Sequence, residues 1–485
     1  MAAGPHVRPV MTPGRGVPAS VPARIQAFVD RHLVSSPARF AIVIFTTLIL
    51  IFTALLALPI SSASGEPTPI ADALFTAVSA ICVTGLVTLD MSTHWSAFGH
   101  GVVLLAFQVG GIGVLTLASV MGLIVSRRLG LRAKLLAVND ASQSRVTSGA
   151  GNDSQAIRIG EIGGLLGTVA LSTLVIELAL FASIFPRLLT AGFSLWDSTW
   201  QGFYLAASAF TNTGFVPLVD GMEPFVSDPW MLLTIAVGVF LGSVGFPVIF
   251  ALFRLARFRA RLGVHAKLTL FTTLILIVLG TMLIMVLEWN NGSTIGGQSP
   301  VDRPLNAFFL SVMTRSGGFS PIDVGAMNGS TLLGMNMLMF VGGGSASTAG
   351  GIKVTTLAVL FLAAFAEARG VKDMEAFDRR IPVDVLRVSV SIVLWGATIV
   401  ATSSIIVLHI TKAPLDYVLF DVISAFATCG LSTGLTSNEL PDAAKYTLAA
   451  TMWAGRVGTV TLAAALAASQ RRQLFRRAEE RPIVG

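Results

Sequence analysis

Apolar residues in this chain come in long unbroken runs rather than in the short alternations of a water-soluble fold. Runs near 39–60, 98–125, 162–185, 230–253, 267–287, 331–365, 386–410 and 446–468 reach or exceed the roughly 20 residues a helix needs to cross a hydrocarbon core of about 30 Å. They predict eight membrane spans. Between the members of each pair lies a shorter apolar stretch, near 70–83, 199–212, 304–315 and 416–428, only 12–14 residues long. Such a segment enters the bilayer without crossing it. The pattern predicts an all-α integral membrane protein made of four helix–re-entrant loop–helix repeats.

Composition supports that reading. Only 12% of the 485 residues are charged, against about 25% in soluble domains. Two cysteines, Cys82 and Cys429, supply neither a disulfide framework nor a zinc spacing, and read as small packing residues. The formal charge of +7 would suggest nucleic acid in a soluble protein, but the basic residues have a sided distribution. Of 33 Lys and Arg, 26 fall in the N-terminal tail, the loops after spans two, four and six, and the C-terminus; Arg187, Arg303, Lys412 and Lys445 fall on the other side. Basic residues concentrate in cytoplasmic loops, so both termini are expected in the cytoplasm, with the chain in the inner membrane and the re-entrant segments entering from outside. The expected organisation is a Pro-, Gly- and Arg-rich tail without a cleavable leader over 1–38, repeats at 39–126, 160–258, 259–368 and 384–470, linkers at 127–159 and 369–383, and a tail at 471–485. Three basic residues remain: Arg315, Lys353 and Arg456 lie inside membrane segments, where charge is expensive and usually functional.

The four short segments align on one glycine each: Gly85, Gly214, Gly318 and Gly430. Ten residues earlier stands an aromatic, Phe75, Tyr204, Phe308 or Phe420. Six and five residues earlier comes Ser-Ala in three repeats, at Ser79-Ala80, Ser208-Ala209 and Ser424-Ala425, with Val312-Met313 in the third. One residue later is Leu86, Phe215, Phe319 or Leu431. The following span carries Gly-x-x-Gly from Gly110, Gly242 and Gly455, and the run Gly342-Gly343-Gly344 in repeat three. Those glycines serve either close helix packing or a functional register.

Irregular backbone at membrane depth is tolerated only when buried in protein or lining a water-filled cavity. Four such segments facing an axis would aim backbone carbonyls inward, where carbonyl rings replace an ion's hydration shell. Glycine permits the φ values this needs, and helix C-terminal ends favour a cation. Anion conduction would need converging basic side chains or helix N-termini, which the four repeats lack.

The strings VSAICVTGL, SAFTNTGF, SAFATCGLSTG, GGGSASTAGGIK and GRVG resemble the superfamily of bacterial Trk and Ktr potassium transporters and plant HKT proteins. The resemblance runs from about Ser36 to Arg471 and is strongest to the Ktr membrane subunit, since Trk subunits have an extra N-terminal helix pair. It implies a potassium filter made by the backbone of Val83-Thr84-Gly85, Asn212-Thr213-Gly214, Ser316-Gly317-Gly318 and Thr428-Cys429-Gly430. Position 317 departs from the family pattern, which has a small residue other than glycine. The resemblance also implies potassium as the transported ion, with sodium a further candidate and no organic cofactor. A homodimer and a cytosolic ring of nucleotide-binding regulatory subunits on the basic inner face are implied as partners.

Five glycines within Gly342-Gly343-Gly344-Ser345-Ala346-Ser347-Thr348-Ala349-Gly350-Gly351 should break the sixth span, because each costs a helix roughly 1 kcal/mol. The resemblance makes this segment an intramembrane gate below the filter, flanked by Lys353. Arg456 is expected near that loop as an electrostatic barrier bonded to its carbonyls, the plain alternative being a snorkelling or structurally paired arginine. Arg315 is read as a brace behind the filter. No Walker, HExxH or Ser-His-Asp pattern supports an enzyme. The stronger rival is a proton- or sodium-coupled carrier using a buried carboxylate, with Glu161 and Glu177 as candidates and a structural carboxyl as the plain alternative.

Overall fold

The computed structural model describes residues 37–113, 153–259 and 261–458. The expected tails, most of the first linker and the ends of the second and eighth spans lie outside the described residues, as does the side chain of Glu161. The rest is helical apart from one small hairpin and the connecting loops. In chain order the helices are α1 Pro37–Leu56, α2 Ile70–Ile81, α3 Ala97–Gly113, α4 Asp153–Thr190, α5 Leu195–Thr211, α6 Pro229–Val244, α7 Phe246–Phe258, α8 Val264–Glu288, α9 Asp302–Met313, α10 Gly329–Phe340 and α11 Val354–Ala368. Strands β1 Met374–Ala376 and β2 Arg379–Ile381 follow, then α12 Val383–Thr411, α13 Leu415–Ala427 and α14 Asp442–Trp453.

Among the described residues, three unbroken helical stretches are long and apolar enough to cross a membrane: Gly167–Thr190, Val264–Glu288 and Val383–Thr411. Their outward faces are apolar, with Leu171, Val175, Leu274, Val278, Met282 and Ile405 exposed. Hydrocarbon, not water, suits such a surface. Several of the apolar runs are not single helices. The run at 230–253 is a correction to the expectation of one continuous span: α6 and α7 meet at Gly245 with a bend of 104°. Gly245 has φ +86, a conformation that glycine adopts without penalty and that ends regular helix. The run at 331–365 is likewise two helices, with residues 341–353 non-helical between α10 and α11. The last run leaves α14 as a π-helical turn, Ala454–Gly458, a form found mostly at functional positions.

The four short helices α2, α5, α9 and α13 are buried for most of their length. Helix α2 packs on α1 and α14, α5 on α4 and α6, α9 on α8 and α6, and α13 on α10, α12 and α14. Each therefore lies between neighbouring helices, and all four belong to one continuous core. Their aligned aromatics help fill it: Phe75, Tyr204 and Phe420 are fully buried, and Tyr204 meets Phe107 edge-on at 5.4 Å. The first glycine of each Gly-x-x-Gly has a clear packing reason. A methyl group on Gly110, Gly242 or Gly455 would strike the carbonyl of Ile81, Phe210 or Phe426 respectively, each the residue four before the aligned glycine. These glycines let the segment that follows each filter strand lie against the last turn of the helix before it.

The segment at 369–383, expected as a linker, holds the β1–β2 hairpin. Its turn residues Phe377 and Asp378 have φ 50 and 60, the left-handed pair of a type I′ turn. Phe377 stacks edge-on with Phe271 and receives the Lys267 ammonium at 5.3 Å.

Candidate functional site

The four short helices end at matching points, and each is followed by two left-handed residues separated by one. The first of the pair is Val83 (φ 57), Asn212 (φ 61), Ser316 (φ 76) or Thr428 (φ 46); the second is Gly85 (φ 92), Gly214 (φ 81), Gly318 (φ 75) or Gly430 (φ 93). Alternating handedness turns successive carbonyls toward the same side. Asparagine tolerates the left-handed region, but a β-branched residue such as Val83 or Thr428 is a genuine outlier there. Strain of this kind persists where the surroundings impose it.

The glycines form a closed ring. A methyl on Gly85 would strike the Thr213 carbonyl; on Gly214 it would sit 2.8 Å from the Gly317 oxygen; on Gly318, 2.9 Å from the Cys429 oxygen; on Gly430 it would strike the Thr84 carbonyl. Each glycine thus abuts the middle residue of the next strand, in chain order around the circle. On one side, Gly85, Gly318 and Gly430 line a cavity of about 280 Å³ with Leu86, Ser320, Asp323 and Ser432 among its other walls.

Backbone N–H groups of these strands are turned away from the ring. Thr84 N donates to Ser79 O, Thr213 N to Ser208 O, Cys429 N to Ser424 O and Gly317 N to Met313 O, at 2.7–2.9 Å. The Ser79 hydroxyl accepts from Gly85 N, and the Ser424 hydroxyl from Gly430 N, both at 3.1 Å. That explains the serine six residues before the glycine in the first and fourth repeats; in the second, the buried Ser208 hydroxyl makes no such bond among the described residues. Carbonyls behave oppositely. Of the twelve in the four tripeptides, only that of Thr428 accepts a hydrogen bond among the described residues, from the Ser316 hydroxyl. The other eleven accept no hydrogen bond among the described residues, which leaves their oxygens available to a desolvated cation. Leu86, Phe215, Phe319 and Leu431, each one residue after a glycine of the ring, are buried. Gly317 fits its quadrant because a methyl there would crowd Met313 Sδ at 2.6 Å and Val239 Cγ1 at 2.8 Å.

The glycine-rich segment lies directly against these strands, on the side of the short helices' ends. Residues 342–344 and 347–352 are buried. Thr348 Oγ1 donates to Asn212 Oδ1 at 3.0 Å, and Gly350 N to the Ser316 hydroxyl at 3.3 Å. Gly344 N donates to Ser243 O at 2.7 Å and Thr348 N to Gly242 O at 3.2 Å, which fastens the segment to the end of α6. Ser347 closes a turn onto Gly344 O, and Ser345 pairs with Thr355. Ala346 has φ 58, and Gly343 and Gly351 touch Ala349 and Ala427. Lys353 Nζ donates to Ala349 O at 2.6 Å. The buried Arg456 guanidinium donates to the Thr348 carbonyl. Loop, strands and both cations therefore form one assembly. Arg315 is fully buried and donates to Leu338 O and Val341 O, both at 2.8 Å. It caps the end of α10 where the loop begins and bonds no ring carbonyl.

Two connections were not expected from the sequence. The Asn212 side chain donates to Val239 O while accepting from Thr348, and Ser316 joins the Thr428 carbonyl to Gly350. Both lie two residues before an aligned glycine, at the one filter position where the four repeats differ most in side chain. Glu177 lies apart, buried between α4 and α3, where Gln108 Nε2 donates to it at 2.8 Å. Among the described residues no cluster of His, Cys, Asp and Glu could hold a metal ion.

Known proteins resemble this chain over most of its length. The Ktr system potassium uptake protein B of Vibrio alginolyticus is 35% identical over 435 residues, covering 88% of this chain and 91% of that protein. Its namesake in Bacillus subtilis is 33% identical over 427 residues, with the same coverage. The crystal structure of the potassium transporter TrkH from Vibrio parahaemolyticus superposes with a TM-score of 0.64 at 17% identity, over 86% of this chain and 83% of that one; it shares the fold. The profile described as TrkH, cation transport protein, matches residues 23–474, and the chain belongs to that family of multi-pass membrane transporters.

Proposed function

We propose that this chain carries potassium ions into the cell across the cytoplasmic membrane. The ions pass through a filter formed by residues 83–85, 212–214, 316–318 and 428–430. The single observation that carries the reading is the ring itself: four left-handed glycines in mutual contact, N–H groups tied back into the short helices, and carbonyls left free. Carbonyl oxygens in such numbers replace the water around a monovalent cation, and the C-terminal ends of α2, α5, α9 and α13 add negative potential. Residues 342–351, with Lys353 and Arg456, act as the gate, because the loop is bonded to the filter strands and two cations hold its carbonyls.

The same reading includes four pseudo-equivalent repeats with eight spans around one pore, within the boundaries expected from the sequence, and both termini in the cytoplasm. It includes a homodimer, and a cytosolic nucleotide-binding ring docked on the basic face. Sodium remains a candidate second ion. The carrier alternative would use Glu177, but the one side-chain hydrogen bond to that carboxyl comes from Gln108, and no bond among the described residues joins it to the filter or the loop.

The test is potassium and sodium uptake in cells lacking their own potassium uptake systems, with the wild type beside Gly214→Ser. Growth at low potassium with wild type, and lost potassium preference in the variant, supports the assignment. A wild type that moves no potassium, even with a regulatory subunit co-expressed, overturns it.

A further inference from the structure

Helix α7 has an outward face that fits neither water nor hydrocarbon. The 104° bend at Gly245 sends it across the direction of α6. With α6 spanning the bilayer, α7 lies near the plane of a leaflet for about 20 Å, from 1.5 Å per residue. One face is anchored: Val248 is buried against Ala266, with Ile249, Leu252 and Leu270 packed around them. The opposite face presents Phe250, Phe253, Arg254 and Arg257, with Phe258 at its end, all exposed; the Phe253 and Phe258 side chains are 59% and 68% exposed. Arg254 lies over the Phe250 ring at 6.0 Å and Arg257 beside Phe258 at 5.6 Å. Arg259 and Arg261 continue the basic run, both exposed. The sequence contains no Asp or Glu between Asp228 and Glu288, so no acid near in sequence neutralises these arginines, and none pairs with them among the described residues.

We infer that this face of α7 binds the headgroups of anionic phospholipids in the inner leaflet. Rings inserted to the acyl boundary and guanidinium groups at headgroup level satisfy both halves of the surface. A guanidinium also matches a phosphate geometrically, by paired N–H donors. The site reaches the loop through its hinge. A methyl on Gly245 would lie 2.7 Å from the Ala346 oxygen, and the loop's Gly344 and Thr348 N–H groups bond Ser243 and Gly242 in the turn just before the hinge. Lipid that holds α7 therefore holds the platform on which the loop rests. This second step relies on the gate reading above; the lipid site does not.

The full-length protein is reconstituted in phosphatidylcholine vesicles carrying a trace of spin-labelled phosphatidylglycerol or spin-labelled phosphatidylcholine. The motionally restricted fraction then measures which lipid the protein holds. The expected result is a preference for phosphatidylglycerol that falls by about fivefold for each of Arg254→Gln and Arg257→Gln, the effect of one surface charge. The Arg254→Lys, Arg257→Lys double variant keeps most of the preference. No preference in wild type, or an unchanged preference in the double glutamine variant, overturns the site. Glutamine variants that lose capture of a cytosolic regulatory protein while keeping the lipid preference also overturn it, in favour of a protein partner. Potassium flux in vesicles with and without phosphatidylglycerol tests the coupling. Wild-type flux should depend on that lipid and double-glutamine flux should not. Lipid preference with lipid-independent flux overturns the coupling alone, and lipid preference with no potassium flux in any vesicle counts against the transport reading.

Discussion

Thr348 donates its hydroxyl to the Asn212 carboxamide at 3.0 Å, so the loop and the second filter strand share a side-chain hydrogen bond. Asn212 has a left-handed backbone and gives its own amide to Val239 O, which leaves its oxygen fixed toward the loop. Thr348→Val removes the donor with little change of shape. A buried hydrogen bond contributes roughly 1 kcal/mol, so loop release should raise potassium uptake about fivefold. Uptake rates in cells without other potassium systems, normalised to membrane protein, check this. An unchanged rate would separate Thr348 from gating.

Arg456 holds the same loop residue through its carbonyl, and Lys353 holds Ala349. Hydrogen bonds from charged donors contribute roughly 1.5–3 kcal/mol, so Arg456→Gln should open the path further than Thr348→Val. Deleting Gly343–Ala349 removes both attachment points and should give the highest flux of the series. If Arg456→Gln leaves flux untouched while the deletion raises it, the arginine is structural and the loop alone is the gate.

Gly→Ser at 85, 214, 318 or 430 should lower potassium selectivity while the protein still reaches the membrane. Each added side chain meets both a positive φ and a neighbouring carbonyl. The ring must widen, and a wider ring suits ions less specifically. Potassium-to-sodium uptake ratios measure this. A serine variant with wild-type ratios would remove that quadrant from the filter.

The aligned glycines, the buried aromatics and the break in the sixth apolar run were legible because each leaves a mark in residue type and spacing. The hinge at Gly245 was legible only in part. Gly245 alone costs a helix about 1 kcal/mol, but Pro247 stands two residues on, at the start of α7, and proline inside a helix costs about 3 kcal/mol. The break was marked there, while its angle depends on the loop carbonyl of Ala346 beside the glycine. Nor could the sequence show that Arg315 would cap α10 or that Ser316 would bridge Thr428 and Gly350, because those partners lie 23 to 112 positions away. Lys445 read as an outer-loop charge. The structure buries it in the first turn of α14, 2.7 Å from Asp72.

That pair joins α2 to α14, and Thr88 donates to the same Asp72 oxygen at 2.7 Å. Both side chains are under 5% exposed. Removing one partner of a buried pair leaves an uncompensated charge and costs about 3–5 kcal/mol. Lys445→Met should therefore lower the unfolding temperature in detergent sharply, and Asp72→Asn combined with Lys445→Met should recover much of the loss. A single variant as stable as wild type would show that water reaches the pair.

Glu177 decides between channel and carrier, and its surroundings predict which. Gln108 Nε2 donates to one carboxyl oxygen, while the other Glu177 oxygen and Gln108 Oε1 are both buried without a partner among the described residues. Two acceptors cannot satisfy each other, whereas a carboxyl that carries a proton has a donor to offer the Gln108 oxygen. A glutamine at 177 has a donor to offer as well. Glu177→Gln should keep potassium uptake and thermal stability near wild type, whereas Glu177→Leu strands the Gln108 amide and should cost about 1–3 kcal/mol. Uptake by Glu177→Gln at normal membrane levels is the measurement. If uptake is lost while stability holds, the carboxyl takes part in transport through a proton, and the coupled-carrier mechanism replaces the passive pore.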